Sequence, residues 1–293
     1  MAVIVGDRGS LYVYSADSLA EFVRRVGYIK TDKRLYFRGL SNFRYDLSPS
    51  INRQIKSDSA ETWISRELRL VEFAEQSIPE LFTNSLPAFL ISNMQHYGIP
   101  TRMLDVTENA IVALYFACLN SENDGKVVVF EGIPVSAFNP YVNIIADTYR
   151  LTRNEAISFD EYRYLVYKQP YTSTIVYPNW EDRKGSVKDT KLIESLRSPI
   201  IVDVGMLNQR QRNQNGKFII FPNIIDNTGI KNEMIRITET DEIVKAVITI
   251  PKESKEKILN QLEYLGITES FIFPDDISKV FGGITHRLSI ESL

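Results

Sequence analysis

The densest group of chemically capable side chains is the run Gln95-His96-Tyr97-Gly98-Ile99-Pro100-Thr101-Arg102-Met103-Leu104-Asp105-Val106-Thr107, just ahead of the apolar run Ile111 to Leu119. Imidazole exchanges protons near neutrality more readily than any other unperturbed side chain, which makes His96 a candidate general acid or base. The alternative is that His96 fixes the turn by bonding a neighbouring carbonyl. Arg102 precedes a helix start, where backbone N–H groups attract anions, and is a candidate anion contact. Tyr97 offers a ring for stacking, and Gln95 offers an amide. Asp105 stands three residues before Glu108, the spacing of an N-cap with a reciprocal acidic partner. Thr107 is the alternative cap, which would leave Asp105 to pair with Arg102 or to orient His96. Gly98 and Pro100 shape the turn.

A second group begins at Tyr36-Phe37-Arg38-Gly39, where an arginine ends a short strand. Its guanidinium can grip a phosphate or carboxylate in bidentate fashion, or it can bridge strand and helix through a buried carboxylate. Gly39 lets a ligand or another backbone approach closely. Arg53, Arg210, Arg212 and Gln214 form a further tier, the last three within the polar run Asn208 to Gly216, read as a loop. Such a loop either binds phosphates and nucleobases or is merely solvated. Glu269, ahead of the short apolar run Phe271 to Phe273, is a candidate catalytic carboxylate. No metal is expected, because His286 is far from His96 and no carboxylate lies at helical ligand spacing from His96.

The elements that must position these residues follow from pattern. Apolar spacing after Asp17 predicts a helix through Val23, and Leu35 to Phe37 predicts a strand. Helices are expected over about 59 to 77 and from Ala88 to about Tyr97. The run Ile111 to Leu119 has almost no polar face, so a buried helix is expected there. Strands are expected at Lys126 to Phe130, Ser198 to Val204, Lys217 to Phe221, Ala246 to Ile250 and Phe271 to Phe273, with a helix from Lys252 to Leu265 stopped by Gly266. Residues 134 to 195 are poorly patterned. The reading is one α+β domain over residues 1–293, with a mostly helical first half packed on a mixed sheet contributed largely by the second half.

With 44% hydrophobic residues the chain can bury an ordinary core, and the net charge of −3 offers no overall attraction to nucleic acid or anionic membranes. Cys118 is the one cysteine, which excludes an internal disulfide framework and points to a reducing cytoplasm. No run reaches the roughly 20 apolar residues that span a bilayer, so no membrane association is expected. Gly-x-Ser-x-Gly, Walker, GxGxxG and His-Glu-x-x-His signatures are absent.

Taken together, Tyr36 to Gly39, Leu47 to Arg53, Gln95 to Thr107, Gln214-Asn215-Gly216-Lys217-Phe218 and Phe273-Pro274-Asp275 resemble the FRG domain, over about residues 35 to 285. Met103, Val106 and Asp276-Ile277 depart from that family's pattern. The strand-Arg-Gly start is also similar to the first strand of arginine-type ADP-ribosyltransferases, where that arginine contacts NAD. In this parallel Thr172-Ser173-Thr174 is an imperfect counterpart of a Ser-Thr-Ser strand, and Glu269 of the catalytic glutamate.

Two functions are therefore expected, beside a third reading in which the Gln95–Thr107 motif is a folding nucleus with no ligand. One is a nucleotide-site enzyme, an ADP-ribosyltransferase-like or NAD glycohydrolase-like protein. In it Arg38 and Arg102 hold phosphates, Tyr97 stacks, and His96, Glu269 or Asp105 assists. The other is a non-catalytic recognition domain for a nucleic acid, a nucleotide signal or a protein in a bacterial or phage conflict system. Under either reading, the Gln95–Thr107 segment should face Arg38 across one pocket.

Overall fold

The computed structural model describes residues 2–6, 9–53, 63–81, 85–153, 156–172, 192–206 and 208–274. Among these, nine strands form one mixed sheet in the order β1-β2-β11-β5-β3-β4-β8-β7-β6, and β9 pairs with β10 separately. The strands are β1 Ala2–Gly6, β2 Gly9–Ser15, β3 Arg34–Leu40, β4 Met103–Thr107, β5 Gly125–Gly132, β6 Val135–Ser136, β7 Ile200–Asp203, β8 Gly216–Ile220, β9 Asn223–Asp226, β10 Gly229–Met234 and β11 Val244–Ile250. Within the sheet, β11 runs parallel to β2 and β6 parallel to β7, and the remaining neighbours are antiparallel.

The α+β class is as expected, but the sheet draws on both halves of the chain: β1 to β6 all precede residue 137. β1 and β2 pair antiparallel with Gly6 opposite Gly9, and both runs are rich in the β-branched and aromatic residues that favour strands. The expected strand at Phe271 to Phe273 is instead the end of a short helix, Glu269–Ile272, whose N-cap Thr268 accepts a hydrogen bond from Phe271 N. The polar run after Asn208 is likewise a helix, Gln209–Gln214. Asn208 caps it through Gln211 N at 2.8 Å, and Asn215 ends it at φ +48°.

The helices are α1 Leu19–Gly27, α2 Ser50–Arg53, α3 Trp63–Ser77, α4 Pro87–His96, α5 Ala110–Cys118, α6 Pro140–Ala146, α7 Thr148–Thr152, α8 Phe159–Tyr167, α9 Gln209–Gln214, α10 Lys255–Tyr264 and α11 Glu269–Ile272. None of the described helices is long and apolar enough to cross a membrane. As expected, Gly266 follows α10 with φ +79°.

Only Ile133 and Pro134 separate β5 from β6, yet these strands lie at opposite ends of the run β5-β3-β4-β8-β7-β6. This part of the sheet therefore curls until the chain itself joins the two ends of that run. Alternation along each strand then sorts side chains into an inner and an outer set. Tyr36, Leu104, Val106, Phe130, Ile201 and Ile219 share the inner core, into which α3 and α4 send Val71, Ala74, Leu90 and Met94. Outside, α4 and α6 cover Met103, Val202, Phe218 and Ile220, while α5 and α10 cover Phe37, Val127, Val129 and Ile248.

The fit of α5 to the sheet is governed by Gly39. A Cβ built there would lie 1.8 Å from the carbonyl oxygen of Ala113 and 2.8 Å from Ala117 N, so the close approach that this glycine permits is to a helix backbone. Gly39→Ala is expected to lower stability by about 1–3 kcal/mol or more, because backbone rather than a movable side chain must give way. Gly27→Ala, where a Cβ meets nothing within 4 Å, should leave the melting temperature nearly unchanged or raised. Thermal unfolding of the two variants checks the contrast.

Candidate functional site

The segment Gln95 to Thr107 is not one turn. Gln95 and His96 end α4, Tyr97 caps it, Gly98 turns the chain at φ +81°, and Met103 to Thr107 form β4. The two ends of the segment therefore do different work.

At the first end the polar side chains pin the chain. Thr101 Oγ1 donates to Gln95 Oε1 and accepts from Met103 N at 3.1 Å. Ser50 Oγ accepts from Thr101 N at 3.2 Å, and Ile51 N donates to Thr101 O at 3.3 Å, so the Leu47–Arg53 motif is bracketed to this loop. The side chain of Arg53 lies outside the described residues. His96 is half-buried, with its ring edge-on to the exposed Tyr97 at 5.0 Å.

Arg102 has a carboxylate partner inside the protein, which removes it from the ligand contacts expected from sequence. It is fully buried. Nε and Nη2 donate to Glu67 at 2.9 and 2.6 Å, and Nη1 donates to the Ile145 carbonyl at 2.9 Å and to Asn223 Oδ1 at 3.2 Å. Glu67 is 1% exposed and occupies the face of α3 that also buries Val71 and Ala74.

Of the segment expected to face Arg38, only the second end does so. β3 and β4 pair only through Phe37 and Thr107, then diverge, and Arg38 Nη1 crosses the gap to donate to the Asp105 carbonyl at 2.5 Å. The Asp105 carboxylate stands 3.9 Å from the same nitrogen and is 65% exposed, against 13% for Arg38. Asp105 does not cap α5. That role belongs to Asn109, whose Oδ1 accepts from Ile111 N at 3.0 Å and Val112 N at 3.4 Å, because Asp105 lies within a strand four residues too early. Thr107 Oγ1 accepts from Asn109 N at 2.9 Å and donates to the Gln214 carbonyl at 2.5 Å, tying β4 to α9.

Where β3 and β4 part, a cleft of about 180 Å³ opens, with Arg38, Gly39, Asp105, Thr107, Arg210 and Gln214 on its walls. Phe37, Val106, Val112 and Phe116 complete its apolar lining. The far wall is braced by α11. Gln214 Nε2 donates to the Ile272 carbonyl at 2.9 Å, and Asn213 Nδ2 donates to the Phe271 carbonyl at 2.7 Å. Phe273 then lies under the Arg210 guanidinium at 5.0 Å and edge-on to Phe116 at 6.0 Å. Gln214 is thus a brace as well as a wall, and Phe273, from the Phe-Pro-Asp motif, positions Arg210.

Gln95, His96, Tyr97 and Arg102 do not line this cleft, and neither does Glu269. Glu269 acts instead near Tyr115, whose phenol is pushed up to about 12, first by burial and then by that carboxylate. Of the three residues expected to assist chemistry, the cleft holds Asp105. Ser173, Thr174, Asp275 and His286 lie outside the described residues. Among the described residues no cluster of His, Cys, Asp and Glu is arranged to hold a metal ion. Buried Cys118 has its thiol raised to about 12 by desolvation, which makes it an unreactive core residue.

Residues 33–126 match the family model of the FRG domain, in agreement with the resemblance carried by the motifs. No curated protein and no solved structure matches the chain. The family match contains Arg38, Gly39, Asp105 and Thr107, and the opposite wall, Arg210 and Gln214, comes from later in the chain.

Arg102→Met should strand a buried carboxylate and cost about 3–5 kcal/mol of stability, measured by urea unfolding. Pairing it with Glu67→Leu should recover most of that loss, since two apolar groups in the site leave no unpaired charge. Equal instability of the single and double variants would contradict this assignment.

Proposed function

We propose that the cleft between β3 and β4 recognises an anionic, ring-bearing ligand of the nucleotide class, with NAD the first to test. The observation that carries this reading is the pair of guanidiniums, Arg38 and Arg210, set on two separately braced walls around an apolar floor. Guanidinium forks suit phosphate oxygens. The Phe37 and Phe116 rings and the Val106 and Val112 side chains offer a surface for a planar ring. At about 180 Å³ the cleft is smaller than the roughly 300–1,000 Å³ that encloses a drug-sized ligand. It takes one end of a dinucleotide, and the remainder lies on the surface.

Asp105 is the carboxylate at the mouth and the residue to which cleavage falls. In NAD hydrolysis the bond from ribose C1′ to nicotinamide breaks with its electron pair leaving on nicotinamide. Water oxygen bonds C1′ and loses a proton, and a carboxylate near C1′ stabilises the cationic transition state. The exposure of Asp105 favours recognition over turnover, because solvent weakens that stabilisation. Recognition without chemistry is therefore the second reading. A nucleotide signal fits it better than a polynucleotide, given the net charge of −3.

Calorimetry with NAD, ADP-ribose and AMP tests the site. Saturable binding is expected, weakened about 10-fold or more by Arg38→Lys and by Arg210→Ala, in line with about 1.5–3 kcal/mol for a hydrogen bond to a charged group. Phe273→Ala should mimic Arg210→Ala, Phe273→Tyr should not, and His96→Ala should leave affinity unchanged. Absence of binding by folded wild type overturns the proposal. Should NAD be consumed, Asp105→Asn is expected to abolish turnover with affinity held within about threefold.

A further inference from the structure

A second cleft, of about 520 Å³, opens where the end of β5 meets the approach to β7. Its size falls within the roughly 300–1,000 Å³ typical of small-molecule sites. Its lining is of another kind from that of the Arg38 cleft. Ile200, Ile201, Ile235, Ile237 and Ile243 form its apolar surface, and among the described residues no aromatic ring lines it for a base or other planar group to stack on. Gly132 admits Ile201 to this wall, since a Cβ there would lie 2.8 Å from Ile201 Cδ1. At the mouth Ile133 stands 76% exposed, an apolar side chain in water on the two-residue joint between β5 and β6.

The charges around this aliphatic surface are unequal in their commitments. Glu131 accepts from Thr31 Oγ1 at 2.7 Å and pairs with Lys245 at 3.4 Å. Asp241 accepts from Thr238 N at 2.6 Å and Thr238 Oγ1 at 2.8 Å. Lys33, Arg197 and Arg236 also line the cleft, are exposed, and form no ion pair with any described residue. Against these three cations stand, among the described lining residues, two carboxylates without a cationic partner, Asp241 and Glu242. One cation is then in excess at the cleft, enough to favour a single negative charge, and two of the three are arginines suited to a carboxylate fork.

We infer that this cleft binds an aliphatic-chain carboxylate, with the chain laid along the isoleucines and the head group held by Arg197 and Arg236. The site is separate from the Arg38 cleft and does not depend on the nucleotide reading. Octanoate is the probe, compared by calorimetry with 1-octanol, which keeps the chain and lacks the charge, and with acetate, which keeps the charge and lacks the chain. Octanoate is expected to bind saturably and at least fivefold more tightly than either. Arg197→Gln and Arg236→Gln should each weaken octanoate severalfold without changing 1-octanol, and Ile133→Gln should weaken both. These substitutions are on exposed positions, and melting curves confirm that the variants are folded. Arg38→Ala should bind octanoate as wild type does. The inference is overturned by a non-saturating octanoate isotherm with folded wild type, by equal binding of octanoate and 1-octanol, by retention of affinity in both arginine variants, or by loss in Arg38→Ala.

Discussion

The buried pair of Arg102 and Glu67 is the interaction on which the rest depends. Placing a guanidinium and a carboxylate in a low-dielectric interior carries a large desolvation penalty, offset only when the geometry is good and the remaining donors are satisfied. Here both conditions are met: Glu67 takes two of the guanidinium nitrogens, and the third reaches the end of α6 and Asn223 of β9. Phe221 N in turn donates to the Arg102 carbonyl at 3.2 Å. A single side chain thus fixes α3, α6, the start of β9 and the exit of β8 against the start of β4. With that end of β4 immobilised, and its other end laced to β8 and α9, the strand can part from β3 without fraying.

Two arginines with similar credentials in the sequence consequently have opposite fates. Arg102 is enclosed with a carboxylate and stabilises the fold. Arg38 spans a gap in the sheet and keeps a face toward a cleft, beside a carboxylate that is largely in water. What separates them is the partner each one meets, which neither residue's immediate neighbours disclose. The opposing wall adds Arg210, held over the cleft by a ring from a segment sixty-odd residues further on. A cleft whose charged groups are braced before any ligand arrives loses less conformational freedom on binding.

Much of this was legible. The all-apolar run of α5, the Val-Val-Val-Phe strand β5 and the α10–Gly266 stop follow from the sequence because burial and propensity agree there. The facing of Arg38 by the Gln95–Thr107 segment was legible only in part, since Asp105 to Thr107 line the cleft and Gln95 to Arg102 do not. No motif marks Glu67, although it lies four and seven residues before Val71 and Ala74, the spacing of one buried helical face; an acid in that register signals a buried partner. The helix at Gln209–Gln214 is hidden because its six residues are all polar and give no apolar period to read, although Gln and Arg form helices well and Asn208 supplies a cap. Phe271 to Phe273 looked like a strand because short aromatic runs do not reveal their period. The separation of His96 from the cleft could not be read at all, since it rests on the switch from helix to strand between Tyr97 and Met103.

The closure of the sheet through Ile133 and Pro134 bears on modularity. The stretch that carries the aromatic-Arg-Gly and Gln-His-Tyr-Gly motifs ends near residue 126, but β4 pairs with β8 more than a hundred residues later, Asp105 with Phe218. Arg102 likewise finds Ile145 and Asn223 only downstream. Excised at its motif boundaries, that stretch would expose the inner core and leave a buried cation without the neighbours that tolerate it. The motif marks a recognisable signature, whereas the unit of folding is a ring that the ribosome must finish through β8 before it can shut, and such late, long-range pairing makes for slow folding.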